Sequence, residues 1–242
     1  PILNLKTGAI SGFEALARLE TEKLGRVPPM EFIAVAEKTK LILPIGDIII
    51  AKALRFLDTL GNNGRGDVTV SVNISVLQLL KPDFLDRLFE MAGKLNIDLR
   101  NLGIEITESV FVSDYASINH ILAELRRAGL HIAIDDFGTG YSSLAREKEL
   151  IADSMKIDKY FVDDLLRGDL DRAIMGDIIS MAHKLGHSAI AEGVEHESQL
   201  AYLREHGCDK VQGYYVSQPL EETEALAFLE RTGPDARRAP RS

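Results

Sequence analysis

The sequence predicts an α/β fold, a TIM-like (βα)8 barrel with an antiparallel first strand, and three observations carry that prediction. Polar residues recur where short apolar runs end: Asn73 after residues 68–72, Glu105 after 102–104, Asp135 after 131–134 and Glu192 after 189–191, with Lys156 and Gln212 in the same series. Their intervals of roughly 20 to 36 residues match a strand, a loop and a helix, the repeating unit of such a barrel. A length of 242 residues suits one barrel, and 45% hydrophobic against 27% charged residues leaves material for a large core.

The chain opens with two strand-like runs, residues 2–5 and 9–16, joined by Lys6-Thr7-Gly8. A glycine turn between such runs reads as a hairpin, so a first barrel strand over residues 1–5 lies antiparallel to the second. Helical spacing follows in residues 29–40 and again in 46–60, where Ile48, Ile49, Ala53, Leu54 and Leu57 form an apolar stripe. Another helix is expected over 82–95, with Pro82 near its first turn and Phe84, Leu85, Leu88, Phe89 and Ala92 at helical spacing. Residues 114–128 read as a helix closed by Gly129, and later helices are expected at 169–185, 197–205 and 221–231. Residues 233–242, rich in proline and arginine, read as a flexible tail, so the domain is expected to span 1–232.

Composition removes several function classes. A net charge of −9 argues against a surface for nucleic-acid polymers, although a small nucleotide held through metal is compatible with it. Cys208 is the sole cysteine, so no disulfide framework exists, and its place before the last strand reads as a small buried hydrophobe. No apolar run approaches the length of a membrane span and no signal peptide is visible, so a cytoplasmic location is expected. Because the sequence starts at Pro1, it is expected to be excised from a longer parent, its first strand truncated, with regulatory or membrane-anchored segments elsewhere. His120, His183, His187, His196 and His206 lack paired ligand spacing, which argues against zinc, and His131 reads as structural.

Side chains at the carboxyl ends of parallel barrel strands converge on one mouth. Counting Glu14 and Asp136 with Glu105, Asp135 and Glu192, five carboxylates then crowd one small volume. They repel one another or take up protons unless a cation joins them, and divalent metal is the expected remedy. In Ile134-Asp135-Asp136-Phe137-Gly138-Thr139-Gly140-Tyr141-Ser142-Ser143, Asp135 can bridge two metals while Asp136 turns to the second, the glycines letting the loop bend tightly. A helix cap is the alternative for this segment. Taken singly, the others have structural readings too: Asn73 as a turn cap, Glu108 as a helix cap, Lys156 in a surface pair with Asp158.

The same order contains Gly12-Phe13-Glu14-Ala15-Leu16-Ala17-Arg18, Val72-Asn73-Ile74-Ser75, Glu105-Ile106-Thr107-Glu108, Lys156-Ile157-Asp158, Ala191-Glu192-Gly193-Val194-Glu195 and Gln212-Gly213-Tyr214. Together these segments resemble the EAL family of cyclic di-GMP phosphodiesterases, from the hairpin to Pro219. The resemblance implies metal-dependent hydrolysis of cyclic di-GMP to linear pGpG by a water held between two ions, Mg2+ or Mn2+. It implies Glu14, Asn73, Glu105 and Asp135 as ligands of the first metal, and Asp135 and Asp136 on the second. Glu192 is implied to contact metal and activate the attacking water, and Lys156 to orient that water. Glu108 is implied to brace the loop after Asp136, Arg18 to contact a substrate phosphate, and Leu16, Gln212 and Glu195 to stand around the substrate. Regulatory domains in a longer parent and a homodimer contact near the loop-bearing helices are the partners it implies.

The chain departs from that family at three places. The Tyr-Gln-Pro of the first strand is met only from its proline, Pro1; Leu19-Glu20 follow Arg18 where an aromatic is common; and Glu147 and Ile151 stand at usual apolar and proline positions. None is an inferred metal ligand. A non-catalytic cyclic di-GMP receptor signalling through a partner is the alternative, but the retained ligands and the Asp135-Asp136 pair favour an enzyme. An unrelated metal-dependent barrel lyase would account for the carboxylates and not for Gln212-Gly213-Tyr214.

Overall fold

The computed structural model describes residues 1–108, 114–138, 149–166 and 169–232, with the side chains of 169–172 left aside. Expectations for loop residues 139–143, Glu147 and the tail 233–242 lie outside the described residues.

Strands β1 (Ile2–Asn4) and β2 (Ile10–Ala15) form the expected hairpin. Asn4 shapes its turn, because Oδ1 accepts the amides of Lys6 and Thr7 at 3.0 Å each. A second hairpin, β3 (Leu19–Thr21) with β4 (Gly25–Val27), was not expected, and it leads into α1 (Pro29–Lys38) and α2 (Ile42–Asn62). The chain continues through β5 (Thr69–Asn73), the single-turn α3 (Val76–Leu79), α4 (Phe84–Lys94), β6 (Leu102–Thr107), α5 (Tyr115–Arg127) and β7 (His131–Phe137). Then follow β8 (Ser154–Ile157), α6 (Lys159–Asp164), α7 (Asp169–Lys184), β9 (Ser188–Ala191), α8 (Glu197–Glu205), β10 (Lys210–Gln212) and α9 (Glu222–Thr232).

Eight strands close into a barrel in the order β1, β10, β9, β8, β7, β6, β5, β2. All neighbours run parallel except β1, which lies antiparallel to both β10 and β2. This is the expected architecture, with the first strand reversed because a short hairpin turn cannot return the chain in parallel.

Alternation along the strands decides what enters the barrel. In β6, Leu102, Ile104 and Ile106 belong to the core shared with Leu54, Leu88, Ile118 and Leu122 of the helices, so the intervening Glu105 has the opposite face. In β7, Ile132 and Ile134 pack outward and Asp135 takes the other face. In β8, Met155 and Ile157 join a second core with Val162, Ile179, Ala182 and Leu203, which turns Lys156 inward. Each fully buried aliphatic side chain contributes about 1.5–3 kcal/mol, and this outer layer holds the charged interior in place.

Helix boundaries moved where local chemistry set them. Helix α2 starts four residues before the expected Gly46 and admits Pro44 in its first turn, where the missing N–H has no helical partner. Ile48, expected in its apolar stripe, is 57% exposed, while Ala53, Leu54 and Leu57 are buried as expected. Helix α4 starts at Phe84, beyond Pro82, and α5 starts at Tyr115, with Asp114 accepting the Ser117 amide at 3.4 Å and its hydroxyl at 2.6 Å. Among the described residues, no helix is long and apolar enough to cross a membrane.

Gly213 shows how tightly the mouth is built. It adopts φ +151, and a Cβ there would fall 2.2 Å from Val194 N and 2.3 Å from Val194 O. Those are backbone atoms, themselves fixed because the Val194 amide donates to Gln212 O at 3.0 Å and Val194 O accepts from Tyr215 N at 2.9 Å. Gly213→Ala is therefore expected to destabilise the barrel by roughly 3 kcal/mol, read as a lower urea midpoint at constant slope. An unchanged midpoint would mean that this contact relaxes freely.

Candidate active site

Lys156 organises the mouth. Its side chain is 1% exposed, and its Nζ lies 2.6 Å from Glu192 Oε1, 3.1 Å from Asp135 Oδ1 and 3.5 Å from Glu14 Oε2, and hydrogen-bonds Glu105 Oε2. The alternative of a surface pair with Asp158 fails, because Asp158 caps α6 by accepting the Tyr160 amide at 2.9 Å. Glu14, at the end of β2, has both oxygens held by amides: Asn73 Nδ2 donates to Oε1 and Gln212 Nε2 to Oε2, each at 2.7 Å. Ser71 hydrogen-bonds Glu105 Oε1. Ser71 was not expected in the site, yet it lies two residues before Asn73, so strand alternation puts both on one face.

Charged-group energetics follow from this crowding. Burial pushes the Glu105 carboxyl up to about 7, with Glu14 and Asp135 adding to the shift and the Lys156 ammonium opposing it. Burial likewise pushes Glu192 up to about 8 against the pull of Lys156, with Asp135 and Glu14 adding to the rise. Burial also disfavours ionised Glu14, but Lys156 and the amides of Gln212 and Asn73 bring it below its ordinary value. Lys156 would lose its proton more easily on burial alone, and the carboxylates of Glu105, Glu192, Glu14 and Asp135 reverse this, raising it well above the usual lysine value. Asp136 is raised by burial and by its neighbours Asp135 and Asp158.

Strand β7 is irregular near its end, where its pairing with β8 shifts between Ile134 and Phe137 and Asp136 takes the left-handed φ of +56. For a non-glycine residue this costs about 1–2 kcal/mol, least for Asp and Asn, and it separates the directions of two adjacent carboxylates. The Asp136 amide donates to Asp135 Oδ1 at 3.0 Å, and Gly138 N donates to Glu108 Oε1 at 2.8 Å, so Glu108 touches the loop start it was expected to brace.

The structure thus brings together Glu14, Asn73, Glu105, Asp135, Lys156, Glu192 and Gln212. It leaves others further out. Leu16 is exposed, Arg18 donates to Ala17 O at 3.0 Å, and Glu195 Oε1 pairs with Lys159 Nζ at 2.9 Å. Lys159 also pairs with Asp163, one turn along α6, at 2.8 Å.

Oxygen donors of Glu14, Glu105 and Asp135 all lie within 4.8 Å of one another, and Asp136 and Glu192 stand outside that mutual set. Gln212 Oε1 is buried beside Glu14 without a hydrogen-bond partner. Three carboxylates and the unsatisfied amide oxygen of Gln212 form a donor set for a hard cation such as Mg2+ or Mn2+. The residues present therefore fit divalent metal.

A closed barrel with one reversed strand, its oxygen donors clustered at one mouth, defines a TIM-type domain with a carboxylate-rich candidate site. The chain belongs to the EAL domain family, whose model matches residues 1–219. It is 36% identical over 229 residues to cyclic di-GMP phosphodiesterase NbdA of Pseudomonas aeruginosa, which covers 95% of this chain and 29% of that protein. The chain spans 27% to 39% of the length of comparable curated relatives. Among solved structures, the PaMucR phosphodiesterase in its c-di-GMP complex superposes with a TM-score of 0.87 at 34% identity, over 93% of this chain and 91% of that one. EAL enzyme Bd1971, in a form with cAMP and cyclic-di-GMP bound, gives a TM-score of 0.89 at 34% identity, over 95% of this chain and 63% of that one.

Proposed function

We propose that residues 1–232 form a cyclic di-GMP phosphodiesterase domain that cleaves one phosphodiester bond to give linear pGpG. The observation that carries this reading is the convergence of Glu14, Asn73, Glu105, Asp135, Glu192 and Lys156 at the mouth of an EAL-family barrel. Glu14, Asn73, Glu105, Asp135, Asp136 and Glu192 would hold two ions, Mg2+ or Mn2+. When bound, such ions lower the pKa of water by several units and neutralise phosphate charge.

The protein's own groups perform the remaining work. Glu192 accepts a proton from the attacking water and Lys156 orients that water through its ammonium. A new phosphorus–oxygen bond forms, the bond to the ribose 3′ oxygen breaks, and that oxygen leaves as a hydroxyl after taking up a proton. Arg18 grips a phosphate oxygen, while Leu16, Gln212 and Glu195 border the substrate and Glu108 steadies the Asp136 loop. Gln212 has a second duty, because its amide holds Glu14. The domain is assigned to the cytoplasm, within a longer signalling chain whose other segments regulate it.

Incubation of the purified protein with cyclic di-GMP and Mg2+ or Mn2+ tests this directly by chromatographic detection of pGpG. Binding without pGpG would replace the enzyme by a receptor. Ca2+ is expected to permit binding and support little turnover, because it prefers longer bonds and more ligands, so the carboxylates settle too far apart to align the water. Equal rates in Ca2+ and Mg2+ would contradict a compact site.

A further inference from the structure

Lys156 Nζ is placed as a hard cation would be placed. It faces Glu14 from β2, Glu105 from β6, Asp135 from β7 and Glu192 from the end of β9, and its side chain is 1% exposed. An ordinary lysine pair involves one carboxylate near solvent, whereas here an ammonium with three N–H donors meets four acceptor groups. It hydrogen-bonds Glu105, whereas Glu192 Oε1 lies 2.6 Å away without a hydrogen-bond partner, so charge and not hydrogen bonding alone gathers the set. The oxygens it touches belong to residues inferred to hold metal, so the ammonium and a divalent ion draw on the same donors.

We propose that Lys156 is the resident counter-ion of the cluster: it holds the four carboxylates together and competes with divalent metal for them, setting the metal concentration at which the site loads. This goes beyond the orientation of a water molecule. It rests on the metal-binding part of the proposed function and not on the identity of the substrate. The opposite arrangement, in which Lys156 helps assemble the metal site, predicts the reverse effect on affinity.

The test uses Lys156→Met and the double variant Lys156→Met/Glu105→Gln, each purified with Mn2+, stripped with chelator and compared with equally treated wild type. Stripped Lys156→Met is expected to melt on the order of 10 °C below wild type, since carboxylates buried without their partner are strongly destabilising. Calorimetric titration is expected to show Mn2+ binding at least tenfold tighter in Lys156→Met, with a larger metal-induced rise in Tm. Unchanged or weaker Mn2+ binding would overturn the proposal. The double variant removes one charge of each sign and is expected to recover most of the stripped Tm; a double variant as unstable as the single would trace the loss to packing and overturn the counter-ion account. If Lys156→Met yields no folded protein, Lys156→Gln carries the same comparison. Because no readout uses cyclic di-GMP, failure of the phosphodiesterase reading would appear separately, as missing pGpG with the metal data intact.

Discussion

Asp135→Asn is expected to lower cyclic di-GMP turnover by roughly a thousandfold or more while the barrel stays folded. Asp135 occupies the inward face of β7, with Oδ1 3.1 Å from Lys156 Nζ and accepting the Asp136 amide at 3.0 Å. An asparagine of the same shape can keep the bond from the Asp136 amide, so the turn into the left-handed residue survives. It cannot supply the charge that the proposed bridge between two cations requires. Its neutrality also relieves repulsion with Glu14 and Glu105, so the metal-free protein is expected to be no less stable. Steady-state rates of pGpG release together with thermal melts decide the matter. Turnover within tenfold of wild type in a folded variant would remove Asp135 from the mechanism.

Glu192→Gln is expected to reduce turnover by about 10²–10⁴-fold with substrate binding retained. Glu192 follows β9 directly, and its amide donates to Ile157 O at 3.0 Å, so its backbone is tied to the strand that carries Lys156. Burial raises its proton affinity in the metal-free protein, and the proposed role is to take a proton from water. A carboxamide lacks that basicity. Single-turnover rates in Mn2+ and calorimetric binding of cyclic di-GMP separate the two effects. A normal rate would transfer the role of base to another group; lost binding with a normal rate constant would make Glu192 a substrate or metal anchor only.

Much of the barrel was legible in residue order because strand and helix leave different periods. The run 197–205 was read with the bounds that α8 shows, and the polar residues after apolar runs marked β5, β6, β7 and β9. Short elements were not legible. Strands β3 and β4 have three residues each, and α3 four, too few for any period to emerge. Helix α6 was missed for the same reason, although Asp158 supplies its cap.

Within the site, the residue types and their order were readable from the sequence alone, as were the reversed first strand and the surplus of negative charge at one end of the barrel. Those properties are local, set by side-chain alternation, by turn length and by the acids present. Partner choice was not local. Lys156 had a sequence neighbour, Asp158, as its nearest candidate, and closure of the barrel instead delivered Glu14, Glu105, Asp135 and Glu192 to its ammonium. Closure likewise brought Gln212 within 2.7 Å of Glu14 across 198 positions of sequence. A side chain buried among strands must pair with whatever the opposite strands present, because water is excluded there and an unpaired charge is costly. Tertiary structure therefore decided which charges meet, while the sequence had determined which charges were there to meet.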